Sequence, residues 1–440
     1  MARAQGTTVL RTIAILSNFL PLLASAESST PPLRLSALPA PDEVAALLWE
    51  HAPRLQPSRV RLADGKAGLE RTHLLPNPAL DVSWNTIPIG ELNPPGLQKP
   101  LANVPNYVFG LSELVEIGKR GPRQLSAASA LGSSLEDARA TLFDTYFDLS
   151  ERIAAIAAAE VRIASLTELA EDARRLTEIQ KARAEKGDAA QLDVDRSEIE
   201  EEKLRTGLAD ERAKLATGIR DCGAIVGSPC EPFGSSDAAE AYLDQREQRG
   251  AVIEDRPDLR SLELQKAAAG HALDLADMRK IPDPTLRLGY VHDNFLVSGN
   301  QGNSLFVGVS LPLTFFDHGQ VDSRFAQATI AASSRTRDLL IEQAHSQLER
   351  LTEERRTVEE RRTRLKSKTL PLARSVVKRL EEVVRRGGAP LQELLLARRT
   401  LGELTVEAVD LDLSAQQLAI TESRVRGDGP PAPPELHFTP

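Results

Sequence analysis

The strongest constraint in this chain is a stretch that reads only as long helix, and it occurs twice. From Gln320 a run rich in Ala, Arg, Glu and Leu, almost free of aromatics, continues to a turn at Gly387-Gly388. It then returns to about Gly427. An earlier run, about Pro122 to Lys186, places Leu135, Ala138, Leu142, Leu149, Ile153, Ile156, Ile163, Leu166, Leu169, Leu176 and Ile179 mostly at three- and four-residue steps or their sums. That spacing predicts one amphipathic helix. At 1.5 Å per residue its roughly 65 positions span about 95 Å. It turns at Gly187 and returns over about Ala189 to Asp221.

The flanking sequence repeats too. A head helix starts at Asp42, is interrupted at Pro53 and stops at Pro76-Asn77-Pro78. Strict alternation then predicts a half-buried strand at Leu80, Val82 and Trp84, and a second at Tyr107, Phe109 and Leu111. About 200 residues later Pro257, Pro282-Asp283-Pro284, the run Leu286, Leu288, Tyr290 and the run Leu305 to Leu313 take the same places. Gly110-Leu111-Ser112 aligns with Gly308-Val309-Ser310, Gly187 with Gly387, Asp193 with Glu393, and Val194 with Leu394. The unit helix, strand, strand, long helix, short helix is therefore duplicated.

The division that follows has a secretion signal over 1–26 and an extended segment over 27–41. A first repeat covers 42–222, with strands about 79–90 and 104–115 and a hairpin over 122–221. A connector spans 223–241. The second repeat covers 242–427, with strands about 284–297 and 303–314 and a hairpin over 320–427, and a Pro-rich, disordered tail spans 428–440. In each repeat the head and returning helices together match the long helix in length, which predicts two short helices stacked end to end along one long one. Between Glu349 and Lys368 only Leu351, Val358 and Leu365 are apolar, at the seven-residue spacing of a narrow coiled-coil stripe. The Arg and Glu around them read as a solvated, ion-paired face, and Pro371 predicts a kink.

Arg3 and Arg11, the apolar run Ile13 to Leu23 and Ala24-Ser25-Ala26 have the form of an export signal. No later window holds 18 apolar residues, so no transmembrane helix is expected. A net charge of −9 gives no reason to expect nucleic acid. In an oxidising compartment Cys222 and Cys230, eight apart around Gly and Pro, suit a small-loop disulfide. A metal pair is the alternative, although no His adjoins them. The seven histidines are scattered without ligand spacing, and no nucleophile, phosphate loop or acid pair stands out. Neither an enzyme nor a cofactor is expected.

Four strands of about a dozen residues are long enough to cross a bilayer when tilted. Eight of the 17 aromatics (Trp84, Tyr107, Phe109, Tyr290, Phe295, Phe306, Phe315, Phe316) lie in or beside them, as aromatic girdles would. Four strands cannot close a barrel, and open edges are not tolerated in lipid, so several protomers would have to share one barrel. A soluble sheet packed on a helix satisfies the same features.

The segments Leu111–Ala128 (LSELVEIGKRGPRQLSAA), Val309–Ala328 (VSLPLTFFDHGQVDSRFAQA), Leu370–Arg398 (LPLARSVVKRLEEVVRRGGAPLQELLLAR) and Arg183–Glu200 (RAEKGDAAQLDVDRSEIE) resemble the two strand-to-helix junctions and two hairpin tips of the TolC-like outer-membrane efflux family. The first resembles the heavy-metal branch that includes CzcC. The resemblance runs from about Asp42 to Gly427. It implies a mainly helical fold with β structure, in which three protomers form a 12-stranded outer-membrane barrel continued by a 12-helix periplasmic tunnel. It also implies a passive exit duct in a Gram-negative outer membrane, partnered by lipid, a periplasmic adaptor (a membrane fusion protein) and an inner-membrane RND-type pump. The chain departs from the family at Val384-Arg385-Arg386, where a Tyr often precedes the Gly. It also carries the cysteine pair and has no lipidation Cys after the signal.

By the same resemblance Gly187, Gly387 and Gly388 mark the adaptor-facing tips. Asp188, Asp193, Asp195 and Glu393 are candidates for an anionic ring at the closing end. The helix dipole alone accounts for Asp188 and Asp193 at a helix start. Heavy-metal cations are one expected cargo, with selectivity belonging to the pump. The competing class is a soluble periplasmic coiled-coil adaptor or scaffold. An adaptor would show one hairpin between lipoyl-like halves, and this chain has two in tandem.

Overall fold

The computed structural model describes residues 32–87, 89, 99–245, 250–294 and 301–436. The signal read at 1–26, Phe295 and the last four residues lie outside them. In chain order come β1 (Leu33–Arg34), α1 (Pro41–His51), α2 (Gln56–His73), β2 (Ala79–Asn85), a short α3 (Pro100–Asn103), β3 (Asn106–Leu114), α4 (Arg120–Glu185) and α5 (Gln191–Val226). Then follow β4 (Cys230–Glu231), α6 (Ser236–Asp244), α7 (Pro257–Met278), β5 (Thr285–Asp293), β6 (Asn303–Ser310), α8 (Gln320–Arg364), α9 (Leu370–Arg385) and α10 (Leu391–Arg426).

β2, β3, β5 and β6 form one antiparallel sheet in that order. Its strands have seven to nine residues, shorter than the dozen expected. Proline sets several of these limits, because it cannot donate to a ladder. β2 follows Pro78, β3 follows Pro105, β5 follows Pro284, and β6 stops before Pro312.

Each strand hands over to a helix, and the helices keep the order of the strands. α2 packs on α4, α4 on α7, and α7 on α8. Farther from the sheet, α5 takes the place of α2 beside α4, and α10 takes the place of α7 beside α8 and α9. The two stacks meet end to end. Gly227, at φ +80°, ends α5 so close to the turn before α2 that a Cβ would lie 2.4 Å from the His51 carbonyl oxygen. Gly427 ends α10 against Arg256, the residue before α7.

α4 runs unbroken for 66 residues. The matching stretch of the second copy is α8, a five-residue π-helical turn at Leu365–Thr369, and α9. Pro371 lies just past that turn. Its ring would meet the carbonyl of the residue four positions back, and a wider turn relieves the clash without ending the helix. The expected kink is therefore a π-helical turn.

The main core girdles the middle of α4. Leu142, Leu149, Ile153 and Ile156 of α4 pack with Leu48 of α1, Val226 of α5, Leu243 of α6 and Ile420 of α10, and all are buried. Fully burying one such side chain stabilises by about 1.5–3 kcal/mol. Segments expected to be irregular join this girdle. β1 pairs in parallel with β4, and Leu33 and Leu35 are buried, so this part of the segment expected to be extended is clasped to the core. The expected connector 223–241 contains the last turn of α5, β4 and the start of α6. The second head helix is divided into α6 and α7, because Pro257 occupies the first turn of α7 and opens a new helix there.

The tail is also corrected. Residues 428–436 are ordered, the Asp428 carboxylate accepts from the Ala251 amide at 2.7 Å, and Leu436 is buried beside α4. Apolar burial of Leu436 outweighs the Pro-rich composition that reads as disorder.

At the sheet-to-helix junction Lys119 Nζ lies 2.7 Å from Asp283, whose carboxylate also accepts from the Ile117 amide at 2.9 Å. Lys119 donates in addition to the Ile281 carbonyl at 2.7 Å. Burial alone raises the Asp283 pKa, but the lysine and the amide outweigh it and hold it below the usual value. The clamp ties the β3–α4 crossing to α7–β5. A depressed carboxyl pKa stabilises the fold fully above the unfolded value of 3.8, and that stability is lost as pH falls through the lower folded value. Lys119→Met should cost about 1.5–3 kcal/mol in chemical denaturation at neutral pH. The difference from the unsubstituted protein should shrink on titration below pH 3.8.

Candidate functional site

The sheet sorts its side chains by face. Cross-strand rows run Leu80–Leu111–Leu288–Val307, Val82–Phe109–Tyr290–Leu305 and Trp84–Tyr107–His292–Asn303, with Glu113–Leu286–Val309 nearest the helices. This apolar face is uncovered in the protomer: Leu80 is 70% exposed, Leu305 79% and Val307 81%. At its far end Trp84 and Tyr107 stack with ring centroids 6.4 Å apart. There Tyr290 Oη also donates to Asn303 Oδ1 at 2.5 Å.

The opposite face carries Ala79, Asp81, Ser83, Gly110, Ser112, Arg287, Gly289, Ser304 and Gly308, with Val108 and Val291 paired between Ser83 and Ser304. Phe306 is the aromatic side chain among them. It lies across Gly289 and Gly110, so close that a Cβ on Gly289 would come within 2.5 Å of the ring. Phe306, grouped with the girdle aromatics by sequence position, thus sits on the face away from Trp84, Tyr107, Phe109 and Tyr290. Phe315 and Phe316 are exposed beyond the end of β6.

The two hairpin tips share one backbone device. Gly187 (φ +79°) and Gly387 (φ +75°) end their helices in the left-handed region. The amides of Gly187 and Asp188 donate to the carbonyls of Ala184 and Arg183, and those of Gly387 and Gly388 to Val384 and Val383. Both are Schellman closures, which satisfy carbonyls left over at a helix end. Val194 and Leu394 are buried just inside the turns.

Asp188 is exposed in the first turn, Asp193 lies half-buried in the first turn of α5, and Asp195 accepts from Gln191 Nε2 at 3.0 Å. Glu393 is exposed in the first turn of α10, on the other hairpin. Each protomer thus has three of the candidate acids at one tip and one at the other. Cys222 and Cys230 are disulfide-bonded at the opposite end of α5.

Other polar groups find their partners only in three dimensions. Glu160 is the lone acid in an Ala- and Ile-rich stretch of α4. It accepts from the amides of Phe233 and Gly234 at 2.8 and 3.1 Å, and burial raises its pKa despite them. Its isolation among apolar neighbours was a readable signal. Asp412, buried in α10, binds Arg362 Nε at 2.6 Å and Lys366 Nζ at 2.7 Å. Among the described residues no group of three or more His, Cys, Asp or Glu is arranged to hold a metal ion, and no helix is long and apolar enough to cross a membrane.

No family model matches the chain, and no curated protein does. Solved structures do. CusC, described for its transmembrane channel formation, aligns with a TM-score of 0.70 at 15% identity over 88% of this chain and 91% of its own. The outer-membrane channel OprN aligns at 0.69 and 15% over 91% and 93%. The CmeC outer-membrane channel of Campylobacter jejuni aligns at 0.69 and 12% over 97% and 95%. The chain has the TolC-like outer-membrane channel fold.

Gly387→Val should fray the second tip. Nothing lies within 4 Å of a Cβ there, so the cost is conformational, about 1–2 kcal/mol. Amide exchange across 380–395 should accelerate, while the sheet amides of β3 and β5 keep their protection.

Proposed function

We propose that this chain is the outer-membrane channel component of a tripartite, RND-type efflux system, a passive duct from periplasm to exterior. The observation that carries the reading is the sheet, whose uncovered apolar face is backed by a more polar, smaller-residue one and bounded by two open edges. In lipid an apolar outer face is favourable, but open edges leave unpaired N–H and C=O groups. β2 and β6 run in opposite directions, since the order β2-β3-β5-β6 is antiparallel throughout. A rotated copy therefore presents its β2 antiparallel to β6 of the first, and the edges close in a ring. Three copies give a 12-stranded barrel, and the fold likeness supports that number.

The helices then extend the ring as a tunnel, with tips at Gly187 and Gly387 that meet a periplasmic adaptor and, through it, an inner-membrane pump. The polar face of the sheet lines the way out. Heavy-metal cations, suggested by the branch resemblance, are the first cargo to test, with selection left to the pump. Asp188, Asp193, Asp195 and Glu393 are proposed as acids of the closing end.

Membrane fractionation followed by light scattering in mild detergent tests the reading. A trimer in the outer membrane is expected. A soluble periplasmic monomer would replace the duct with a coiled-coil scaffold. Val82→Arg and Leu288→Arg, on the outward face, should each cost about 2–4 kcal/mol near the midplane and reduce the assembled channel in the membrane fraction. Ser83→Arg, on the inward face, should be better tolerated.

A further inference from the structure

At the tip end the helices lie in the order α5, α4, α10, α9, which leaves α5 and α9 as free flanks just as β2 and β6 are free edges. The duplication supplies a template for what covers them. Adding 200 to the numbers of α4 gives those of α8 and α9, and subtracting 200 from α10 gives α5. The internal seam of α4 with α10 therefore has a counterpart made of α9 from one copy and α5 from another.

Three contacts fix the internal register. Arg162 pairs with Asp410, Leu169 lies against Gly402, and Arg398 approaches Asp172 at 3.8 Å. Shifted by the repeat, they become Arg362 with Asp210, Thr369 with Glu202, and Leu372 with Glu198. The first pair recurs residue for residue, and Asp210 is exposed. The surroundings differ. Arg162 contacts Glu211 on its own returning helix at 3.5 Å besides Asp410 on the next hairpin, whereas Arg362 is held within its own chain by Asp412 at 2.6 Å, by Glu359 at 3.1 Å and by Asp244.

The two flanks are complementary in charge and apolar pattern. Residues 164–205 around the first tip hold 12 acids and 8 bases, and residues 364–405 around the second hold 10 bases and 4 acids. α9 exposes Leu372 and Val376, and α5 exposes Leu192 and Ile199. In the shifted register Leu372 falls beside Ile199, and Val376 falls between Leu192 and Ile199.

We propose that α5 of a second copy seats on α9 in this register, with Leu372 and Val376 packing on Ile199 and Leu192 of the partner subunit. The proposal rests on the multi-copy duct above and names the seam that holds its tip end together.

Leu372→Cys combined with Glu198→Cys tests it in the full-length, detergent-extracted protein. Both native cysteines are in a disulfide, so a short bis-maleimide meets only the new thiols. Covalent dimers and trimers are expected from this pair. None are expected from Leu372→Cys with Gln191→Cys, two turns away. Light scattering on the same sample separates the outcomes. An assembled particle that cross-links only through the second pair, or through neither, overturns the seam and leaves the duct standing. A particle of one chain overturns both. As an independent reading, Ile199→Asp should lower the temperature at which the particle dissociates, whereas Ile199→Leu should not. An unchanged temperature for Ile199→Asp overturns the Leu372 contact.

Discussion

An apolar sheet face with nothing over it is the condition from which the rest of this architecture follows. Leu80, Val82, Phe109, Leu111, Leu288, Leu305 and Val307 lie side by side on strands that no helix covers. Exposing such surface to water costs about 25 cal/mol per Å². A globular enzyme would lay a helix across it, but here α2, α4, α7 and α8 each adjoin the end of a strand and continue the sheet's own order. Strand order and helix order are thus one arrangement carried through the length of the molecule. The clamp of Lys119 and Asp283 sits where one passes into the other.

Away from the girdle the helices have little apolar surface to share. The second repeat has small clusters, Leu348 and Leu351 with Leu259 and Val425, and Leu365 and Leu370 with Ala408 and Leu411. Charges fill the remaining contact. Exposed pairs such as Arg361 with Glu407 add little, because solvent screens them. Asp412 is different. Buried between Arg362 and Lys366, it would be strongly destabilising if either partner were removed, and it fixes how α8 sits on α10. Specific polar contacts thus set the helix register where apolar packing is too thin to do so.

Much of this was legible in the sequence because it is written in local periodicity. Leu80, Val82 and Trp84 declare a strand face, Gly187 and Gly387 declare turns, and their common offset declares the duplication. What was not legible depends on pairing across distance. Lys119 and Asp283 meet only because β3 lies beside β5, and neither residue signals the other. Glu160 finds its amides on a connector that composition describes as loop. Phe306 was a different kind of miss, because its even number against Leu305, Val307 and Val309 already assigned it to the other face. The tip acids were located in the sequence, but which surface each one serves depends on neighbours outside a single chain.

The end-to-end stacking of α5 on α2 and of α10 on α7 has a mechanical consequence. Each long helix is a continuous spar, and each companion is spliced, with both splices close to the girdle. A spliced beam is weakest in bending at its joint, so the main core reinforces the place where the companion helices are interrupted. The disulfide fastens the end of one splice to that reinforcement. Sheet and hairpins are therefore two stiff segments on one braced joint, and a torque applied at the tips is transmitted to the sheet through α4 and through α8 with α9.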